Sequence, residues 1–251
     1  MASRSIARAE RVHPRAICRM ILIALALLLC APLHLLWRQL GLGQRWAKLF
    51  LKLSGKASGA KVTIRGTPMA RDVLFIANHV SWLDILILSG ETGCAFVAKA
   101  DMAPWPVLGW MATLNNSVYV ARDQRLDVGA QALAMKTALE THQPLTLFPE
   151  GTTGNGRELL TFRSSLVASV TPPPQGISIQ PVAIDYGVVA PDIAWTEDES
   201  VGVNALRVMG RPGRLAVTLH FMDALDHADF ADRKAISSHS RDAIAGVLGL
   251  E

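Results

Sequence analysis

Three short apolar runs in the sequence are each followed directly by polar or charged residues that could do chemistry. Residues 78–84 follow VLFIA, Arg122 follows VYVA, and residues 149–156 follow LTLF. In open α/β sheets, catalytic and binding sites form where strands end and loops begin. We therefore expect the three segments to lie at strand ends and to form a common site.

The first segment pairs a histidine with a carboxylate. His79 lies just past a run predicted to be a buried strand, and Asp84 lies in the first turn of the next predicted helix. This spacing across a turn can bring the carboxylate back to the imidazole, which fixes the tautomer and makes the other ring nitrogen a better base. That nitrogen could take a proton from an alcohol. The spacing by itself is equally compatible with a histidine that is hydrogen-bonded only for packing.

The second and third segments are suited to binding an anion. An arginine at a strand end can hold a phosphate through its planar guanidinium, although Arg122 could instead pair with Asp123 on the surface. The loop at 149–156 contains three glycines and two threonines, whose N–H groups and hydroxyls can face an anion. It is not a Walker A loop, because no Gly-Lys-Ser/Thr follows, and a simple flexible loop is the alternative.

The elements that must position these segments alternate along the chain. Strand-like runs lie at 61–65, 73–77, 95–98, 118–121, 145–148, 177–184 and 215–221. Helix-like runs lie at 83–89, 107–114, 127–142, 164–170 and 232–248. This alternation predicts an α/β fold, with a mixed, largely parallel sheet flanked by helices. Residues 191–204 are acidic and irregular, and we expect them to form an exposed insertion.

The N-terminal part differs from the body in charge and is predicted to associate with a membrane. Residues 1–71 carry 13 Lys and Arg and one acid. Residues 72–251 carry 12 Lys and Arg and 20 acids. The apolar run at 20–33 is shorter than the roughly 20 residues that a span needs. Pro32 and His34 interrupt its end, and basic residues flank both sides. A helix in one leaflet, or a two-helix hairpin, therefore fits better than a span.

Residues 42–56 have helical periodicity, with basic residues on one face and Trp, Phe and Leu on the other. This pattern is typical of an interfacial helix on an anionic membrane. The alternatives are an ordinary surface helix here and a secretion signal at the N-terminus. We divide the chain into a membrane-associating helical segment at 1–56 and an α/β domain at 57–251, and expect it at the cytoplasmic face of a membrane.

Composition excludes several other classes of protein. Half of the residues are apolar and 18% are charged, which excludes a disordered chain. Cys18, Cys30 and Cys94 are too few and too scattered for a disulfide framework or a zinc site, so a reducing compartment is the simpler assumption. An acidic body argues against nucleic acid as the partner of the basic segment.

Taken together, the segments resemble the glycerolipid acyltransferase family, that is, the 1-acylglycerol-3-phosphate acyltransferases. Residues 78–84 (NHVSWLD) match the family's N-H-x-S-x-x-D block, and residues 148–152 match its F-P-E-G-T block. Gly109 with residues 119–122 is similar to the second block, and residues 179–183 are similar to the fourth. The resemblance runs from about residue 62 to 222, and the basic N-terminus resembles the membrane-binding helical pair of family members.

The resemblance implies a membrane-bound O-acyltransferase. His79, oriented by Asp84, would deprotonate the hydroxyl of a lysolipid, and the alkoxide would attack the thioester of acyl-CoA or acyl carrier protein. The resemblance assigns the acceptor's polar head to Arg122, Glu150, Gly151 and Thr152. It assigns supporting roles to Asn78, Ser81, Pro149, Thr153 and Pro181. No metal and no cofactor beyond the thioester co-substrate is expected.

One departure bears on the acceptor. Thr153 stands where many phosphatidate-forming members have arginine, so Arg157 or Arg163 would have to supply the missing charge. We expect 1-acylglycerol-3-phosphate as acceptor, with another lysolipid such as lyso-ornithine lipid as the alternative. Two further alternatives are a hydrolase with Ser81 as nucleophile, which lacks a G-x-S-x-G elbow, and a non-catalytic lipid-binding module.

Overall fold

A mixed sheet flanked by helices forms the centre of the protein. The computed structural model describes residues 12–99, 115–120, 128–168, 171, 173–196, 198–226 and 232–250. The strands are β1 (Ala60–Arg65), β2 (Val73–Ala77), β3 (Ala95–Lys99), β4 (Val118–Val120), β5 (Leu145–Leu147), β6 (Ser178–Asp185) and β7 (Leu215–Phe221). The helices are α1 (Pro14–Gln39), α2 (Arg45–Ala57), α3 (Leu83–Thr92), α4 (Val128–Glu140), α5 (Ser164–Val167), α6 (Ala190–Ile193), α7 (Val201–Gly210) and α8 (Arg233–Leu248).

The sheet order brings two of the predicted site segments, those after β2 and β5, to the same edge of the sheet. The strands lie in the order β1-β7-β6-β2-β5-β3-β4, and β2 pairs in parallel with both β5 and β6. Only the β6–β7 pair is antiparallel among the described pairings. The carboxyl ends of β2, β5 and β6 therefore lie side by side. The predicted α/β fold is confirmed, while the helix predicted at 107–114, with Gly109, lies outside the described residues.

Strand β2 is buried on both faces, as its unbroken apolar sequence requires. Val73 and Phe75 face a core with α3 and α7, whereas Leu74 and Ile76 face a second core with α4 and α8. The strand that leads to His79 is thus fixed by packing on both sides of the sheet.

The N-terminal helices form a hairpin that packs on the body. Helix α1 continues through Pro32 and His34, and among the described helices it is the one long and apolar enough to cross a membrane. Phe50 and Leu51 of α2 are buried in a cluster with residues of α1 and α3. This packing favours the alternative of a surface helix on the body: Trp46, Leu49 and Leu53 are half-buried against the same cluster, whereas Leu42 is 52% exposed. Helix α1 exposes a long row of large apolar side chains.

Glycines let α2 lie very close to α3. A Cβ placed on Gly90 would come within 2.7 Å of the Cα of Lys52, and Gly55 faces the backbone of α3. Lys52 Nζ also pairs with Glu91 across the same contact over 2.7 Å. The helical hairpin is thereby joined to the helix that carries Asp84.

The prediction of an exposed, irregular insertion at 191–204 is wrong. Helices α6 and α7 lie there, Ile193 and Asn204 are fully buried, and the segment covers the turn after β2. Two of its acids form ion pairs, Glu199 with Arg207 over 2.7 Å and Asp192 with Arg211 over 3.0 Å. The apolar residues of these short helices are too few to produce a clear helical period in the sequence.

Candidate active site

His79 and Asp84 form a hydrogen-bonded pair at the carboxyl end of β2. His79 Nδ1 lies 2.8 Å from Asp84 Oδ2 and donates, since a carboxylate can only accept. The imidazole is 15% exposed and the carboxylate is fully buried. In the neutral imidazole Nε2 then presents a lone pair, and this nitrogen has no hydrogen-bond partner among the described residues. The contact predicted from the spacing is present, and its catalytic use remains a prediction.

The same carboxylate closes the turn between β2 and α3. Asp84 Oδ2 also accepts the N–H groups of Val80 and Ser81, over 2.7 and 2.8 Å. Asp84 lies in the first turn of α3, where the helix dipole favours a negative charge. These donors hold the carboxylate in one orientation toward the imidazole. A proton taken by Nε2 would create an imidazolium beside a fixed negative charge.

The plane of the imidazole is fixed by an aromatic side chain from the neighbouring strand end. The rings of His79 and Phe148 are stacked, with centroids 4.1 Å apart and an interplanar angle of 11°. Phe148 in turn lies against Phe96, with centroids 5.7 Å apart. Sequence analysis gave Phe148 no role of its own, although it begins the F-P-E-G-T block.

Glu150 lies buried behind the turn between β2 and α3. Its Oε1 accepts the N–H of His79 over 2.7 Å, and its Oε2 accepts the N–H of Leu160 over 3.3 Å. Glu150 is 3% exposed, and burial raises its pKa to about 8. This geometry supports a role in holding His79 in place and does not support the predicted contact with the acceptor's head group.

Most of the predicted supporting residues hold backbone around the site. Asn78 bridges β2 to β6, since it accepts the N–H of Ile184 over 2.7 Å and donates to its carbonyl over 3.1 Å. Pro149 and Pro181 are buried, and the carbonyl of Pro149 accepts from Arg163 N. Ser81 is fully buried, with its hydroxyl 3.4 Å from Leu83 N, which argues against a nucleophilic serine.

The loop after β5 is hydrogen-bonded to the turn between β2 and α3 and to the segment after β6. Gly151 has a φ of +78° and begins the turn, and Gly154 N donates to the carbonyl of His79 over 2.7 Å. The hydroxyl of Thr153 donates to the carbonyl of Trp195. The side chain of Thr152 is half-buried, with no hydrogen-bond partner within the described part of the chain. The Thr152 hydroxyl can therefore still bind a ligand, whereas the Thr153 hydroxyl is already hydrogen-bonded to the protein.

The structure describes two of the three arginines proposed for the acceptor, Arg157 and Arg163, and both are exposed. Arg122 lies outside the described residues. Arg157 is exposed and lines a groove of about 590 Å³ with Arg207 and Arg211. Arg163 is exposed at the start of α5. The groove is distinct from the imidazole, which is not among its lining residues.

Sequence analysis missed the residues that hold the site from the far end of the chain. Trp195 N donates to the carbonyl of Val80 over 3.0 Å, and Trp82 Nε1 donates to Asn204 Oδ1 over 2.9 Å. Tyr186 donates its hydroxyl to Asp84 over 2.5 Å. No local signal marks these residues, because each contact joins positions that are about a hundred residues apart.

The arrangement can act as a general base on an alcohol. An oriented imidazole with an open nitrogen is present, and its opposite nitrogen is bound to a fixed carboxylate. Within the described ranges, no cluster of three or more His, Cys, Asp or Glu side chains has a metal-binding arrangement.

Comparisons with known proteins agree with this geometry. A family model described as Acyltransferase matches residues 61–185. Lyso-ornithine lipid O-acyltransferase of Rhizobium meliloti is 35% identical over 88% of this chain and 81% of its own length. The 1-acyl-sn-glycerol-3-phosphate acyltransferase of Neisseria gonorrhoeae is 31% identical over 70% of this chain and 69% of its own. The crystal structure of the 1-acyl-sn-glycerophosphate acyltransferase PlsC of Thermotoga maritima superposes with a TM-score of 0.66, at 18% identity, over 94% of this chain and 96% of its own.

Proposed function

Because the chain belongs to the glycerolipid acyltransferase family, we propose that it transfers an acyl chain from a thioester to the hydroxyl of lyso-ornithine lipid. The observation that carries the proposed chemistry is the His79–Asp84 pair with its open Nε2. The resemblance stated above implied 1-acylglycerol-3-phosphate as the acceptor, and that lipid is the second candidate.

The proposed reaction uses one proton transfer in each direction. His79 Nε2 takes the proton of the acceptor hydroxyl as the oxygen attacks the thioester carbonyl. The tetrahedral intermediate then expels the thiolate, and the imidazolium returns the proton to the sulfur. A thiolate is a stable leaving group at neutral pH, so no separate strong acid is needed. We propose acyl-CoA or acyl carrier protein as co-substrate, with no resident metal or cofactor.

The choice of acceptor rests on position 153 and on the relatives. An ornithine head group carries a carboxylate and an ammonium but no phosphate. Thr153 gives the loop no cation where phosphatidate-forming members have arginine, and its hydroxyl is already used by Trp195. The Rhizobium relative, named for lyso-ornithine lipid, matches more of this chain at higher identity than the Neisseria relative. The Neisseria relative is what favours the second candidate.

We propose that the enzyme works at the cytoplasmic face of a membrane, held there by α1. The side of α1 away from α2 exposes a row of large apolar side chains, among them Leu22, Leu25, Leu28 and Leu29, at 54, 56, 72 and 56%. Burial of such side chains in the acyl region stabilises binding by about 25 cal/mol per Å². An enzyme anchored in this way would bind its lysolipid acceptor directly from the membrane surface.

A direct test compares the two acceptors on one purified preparation with a labelled acyl donor. We expect kcat/KM for lyso-ornithine lipid to exceed that for 1-acylglycerol-3-phosphate by at least about tenfold, the scale of one charged hydrogen bond. The reverse preference would select the second candidate. Release of free fatty acid alone would favour a hydrolase, and no product with either acceptor would favour a lipid-binding module.

Two variant pairs separate the roles of charge and base. His79→Ala should lower kcat by at least about 10²-fold. The matched control is His142→Ala, which removes an exposed histidine paired with Asp72 over 2.6 Å, outside the site.

Thr153→Arg should improve use of 1-acylglycerol-3-phosphate, whereas Thr153→Val removes the same hydroxyl without adding charge. Equal acceptor preference in both Thr153 variants would show that the residue at position 153 does not determine which acceptor is used.

A further inference from the structure

Tyr186 reaches the catalytic carboxylate from the end of β6. Its hydroxyl donates to Asp84 Oδ1 over 2.5 Å, and the side chain is buried, at 4% exposure. Tyr186 lies outside the motifs that drew attention in the sequence. It lies 102 residues from Asp84, so the contact depends on β6 lying beside β2.

The two oxygens of the Asp84 carboxylate are used differently. Oδ2 accepts from His79 Nδ1 and from the N–H groups of Val80 and Ser81. Among the described residues, Oδ1 accepts only from Tyr186. Three donors therefore keep the carboxylate in place without the phenol. The phenol's separate effect is on how much negative charge the carboxylate presents to the imidazole.

We propose that Tyr186 is a positioning residue that sets the basicity of His79 through Asp84. This inference rests on the proposed function, in which His79 is the base. A hydrogen bond to Oδ1 draws charge away from Oδ2, and the phenol's dipole places its positive end toward the pair. Both effects disfavour the imidazolium, so Tyr186 keeps His79 unprotonated and ready to accept a proton at lower pH.

The phenol can act as a donor throughout the range of an assay. Burial, with the charge of Asp84 next, raises the pKa of Tyr186 well above its ordinary value. Among the described residues, the other titratable groups near the pair include Glu150, whose pKa burial raises to about 8, and Arg241 of α8, whose charge opposes that rise. On the β6–β7 side, Asp185 lies 3.7 Å from His220. These groups are unchanged in a Tyr186→Phe variant, so a difference in pH profile isolates the hydroxyl.

The first experiment compares pH profiles of kcat/KM for the full-length wild type and Tyr186→Phe. We expect the acidic limb of the variant to move to higher pH by about half a unit to one unit. On a limb of unit slope this is a loss of about three- to tenfold at low pH, with the plateau kcat and both KM values within about threefold. A purely structural role would lower Tm and leave the limb where it is.

Ser89→Ala is the matched control for the lost hydrogen bond. Ser89 is fully buried in α3, the helix of Asp84, and donates to the carbonyl of Cys94 over 2.8 Å, without touching Asp84. It should lower Tm without moving the acidic limb. A limb that moves equally in Ser89→Ala and Tyr186→Phe would overturn the proposal.

A second experiment introduces a stronger donor at position 186, and one of its two readouts, the ¹⁹F spectrum, needs no substrate. The chain contains two tyrosines, so in a Tyr119→Phe background fluorotyrosine labels Tyr186 alone. Fluorination makes the phenol a stronger donor, and the acidic limb should move to lower pH than in the unlabelled Tyr119→Phe protein. The ¹⁹F signal should shift with pH as His79 titrates, and this shift should vanish in His79→Gln.

These readouts separate failure of the inference from failure of the proposed function. A ¹⁹F signal that follows His79, in a protein inactive on both acceptors, would support the coupling and reject the proposed reaction. Activity with no shift of the limb in Tyr186→Phe or in the fluorinated protein would reject the role of Tyr186. A shift of the limb to lower pH in Tyr186→Phe would also reject it, since the sign would be opposite.

Discussion

Replacing Glu150 by glutamine should change how the stability of the protein depends on pH. Glu150 is 3% exposed, and its carboxylate accepts the N–H groups of His79 and Leu160. Burial raises its pKa from 4.5 to about 8, although both N–H groups favour the charged form. Glutamine keeps the volume and the acceptor for His79 but cannot ionise. It loses the longer bond to Leu160 at every pH, which lowers stability by a constant amount.

The direction of this pH dependence follows from whether the folded or the unfolded state holds the Glu150 proton. Between pH 4.5 and about 8 the folded protein keeps the Glu150 proton, while the unfolded chain has lost it. The free energy of unfolding therefore falls as pH rises through this window, and the contribution is fully present only below the unfolded pKa. A shift of this size corresponds to at most about 5 kcal/mol, and we expect roughly 2–5 kcal/mol. In a chain of this length that is about 5–15 °C in Tm.

Thermal unfolding followed by the fluorescence of the six tryptophans, from pH 5 to pH 9 in detergent, measures the effect. The other ionisable groups act alike in both proteins, so the difference between the two Tm curves reports Glu150. The wild-type Tm minus the variant Tm should fall by the stated amount as pH rises from 5 to 9. Glu158→Gln, an exposed residue in the same loop, is the matched control and should run parallel to wild type. A Glu150→Gln curve that also runs parallel would refute the reasoning.

Three other changes test the base, the helical hairpin and the membrane surface. Asp84→Asn should lower kcat by about 10²-fold or more in steady-state assays, because it removes the charge that stabilises the imidazolium; near-native turnover would contradict the mechanism. Gly90→Ala places a Cβ 2.7 Å from the backbone of α2 and should lower the free energy of unfolding by about 1–3 kcal/mol, seen as a lower Tm. Gly246→Ala in α8, with open space around the Cβ, should lose nothing, and an equal loss would remove the close approach as the cause. Leu28→Asp, at a position 72% exposed on α1, should weaken flotation with liposomes, whereas Leu133→Asp, 64% exposed on α4, should not; equal binding of both variants would place the membrane contact elsewhere.

The strands were predictable because their signal is local. β2 is buried on both faces and reads as an unbroken apolar run, so its predicted and observed bounds agree. The contact between His79 and Asp84 was predictable for the same reason, since a single turn spans the distance between them. The apolar character of α1 was also clear, but its continuation through Pro32 was not, because proline is usually read as a helix end.

The two faces of α2 show where a local pattern becomes ambiguous. Its sequence has an apolar face opposite a basic one, which fits an interfacial helix and a packed helix equally well. The tertiary structure decides in favour of packing, because Phe50 and Leu51 are covered by α1 and α3. The close approach at Gly90 is what lets α2 fit there.

By itself the sequence determined the α/β sheet, the polar segments at the strand ends and the spacing of His79 and Asp84. Only the tertiary structure decided what holds that pair. Glu150 and Tyr186 reach the turn between β2 and α3 from 71 and 102 residues along the chain, just past the strands that flank β2. Residues 191–204 read as a polar insertion, yet Trp195 and Asn204 hold that turn. Local patterns record burial and turns within a few residues, whereas a donor aimed at a buried carboxylate depends on which strands become neighbours.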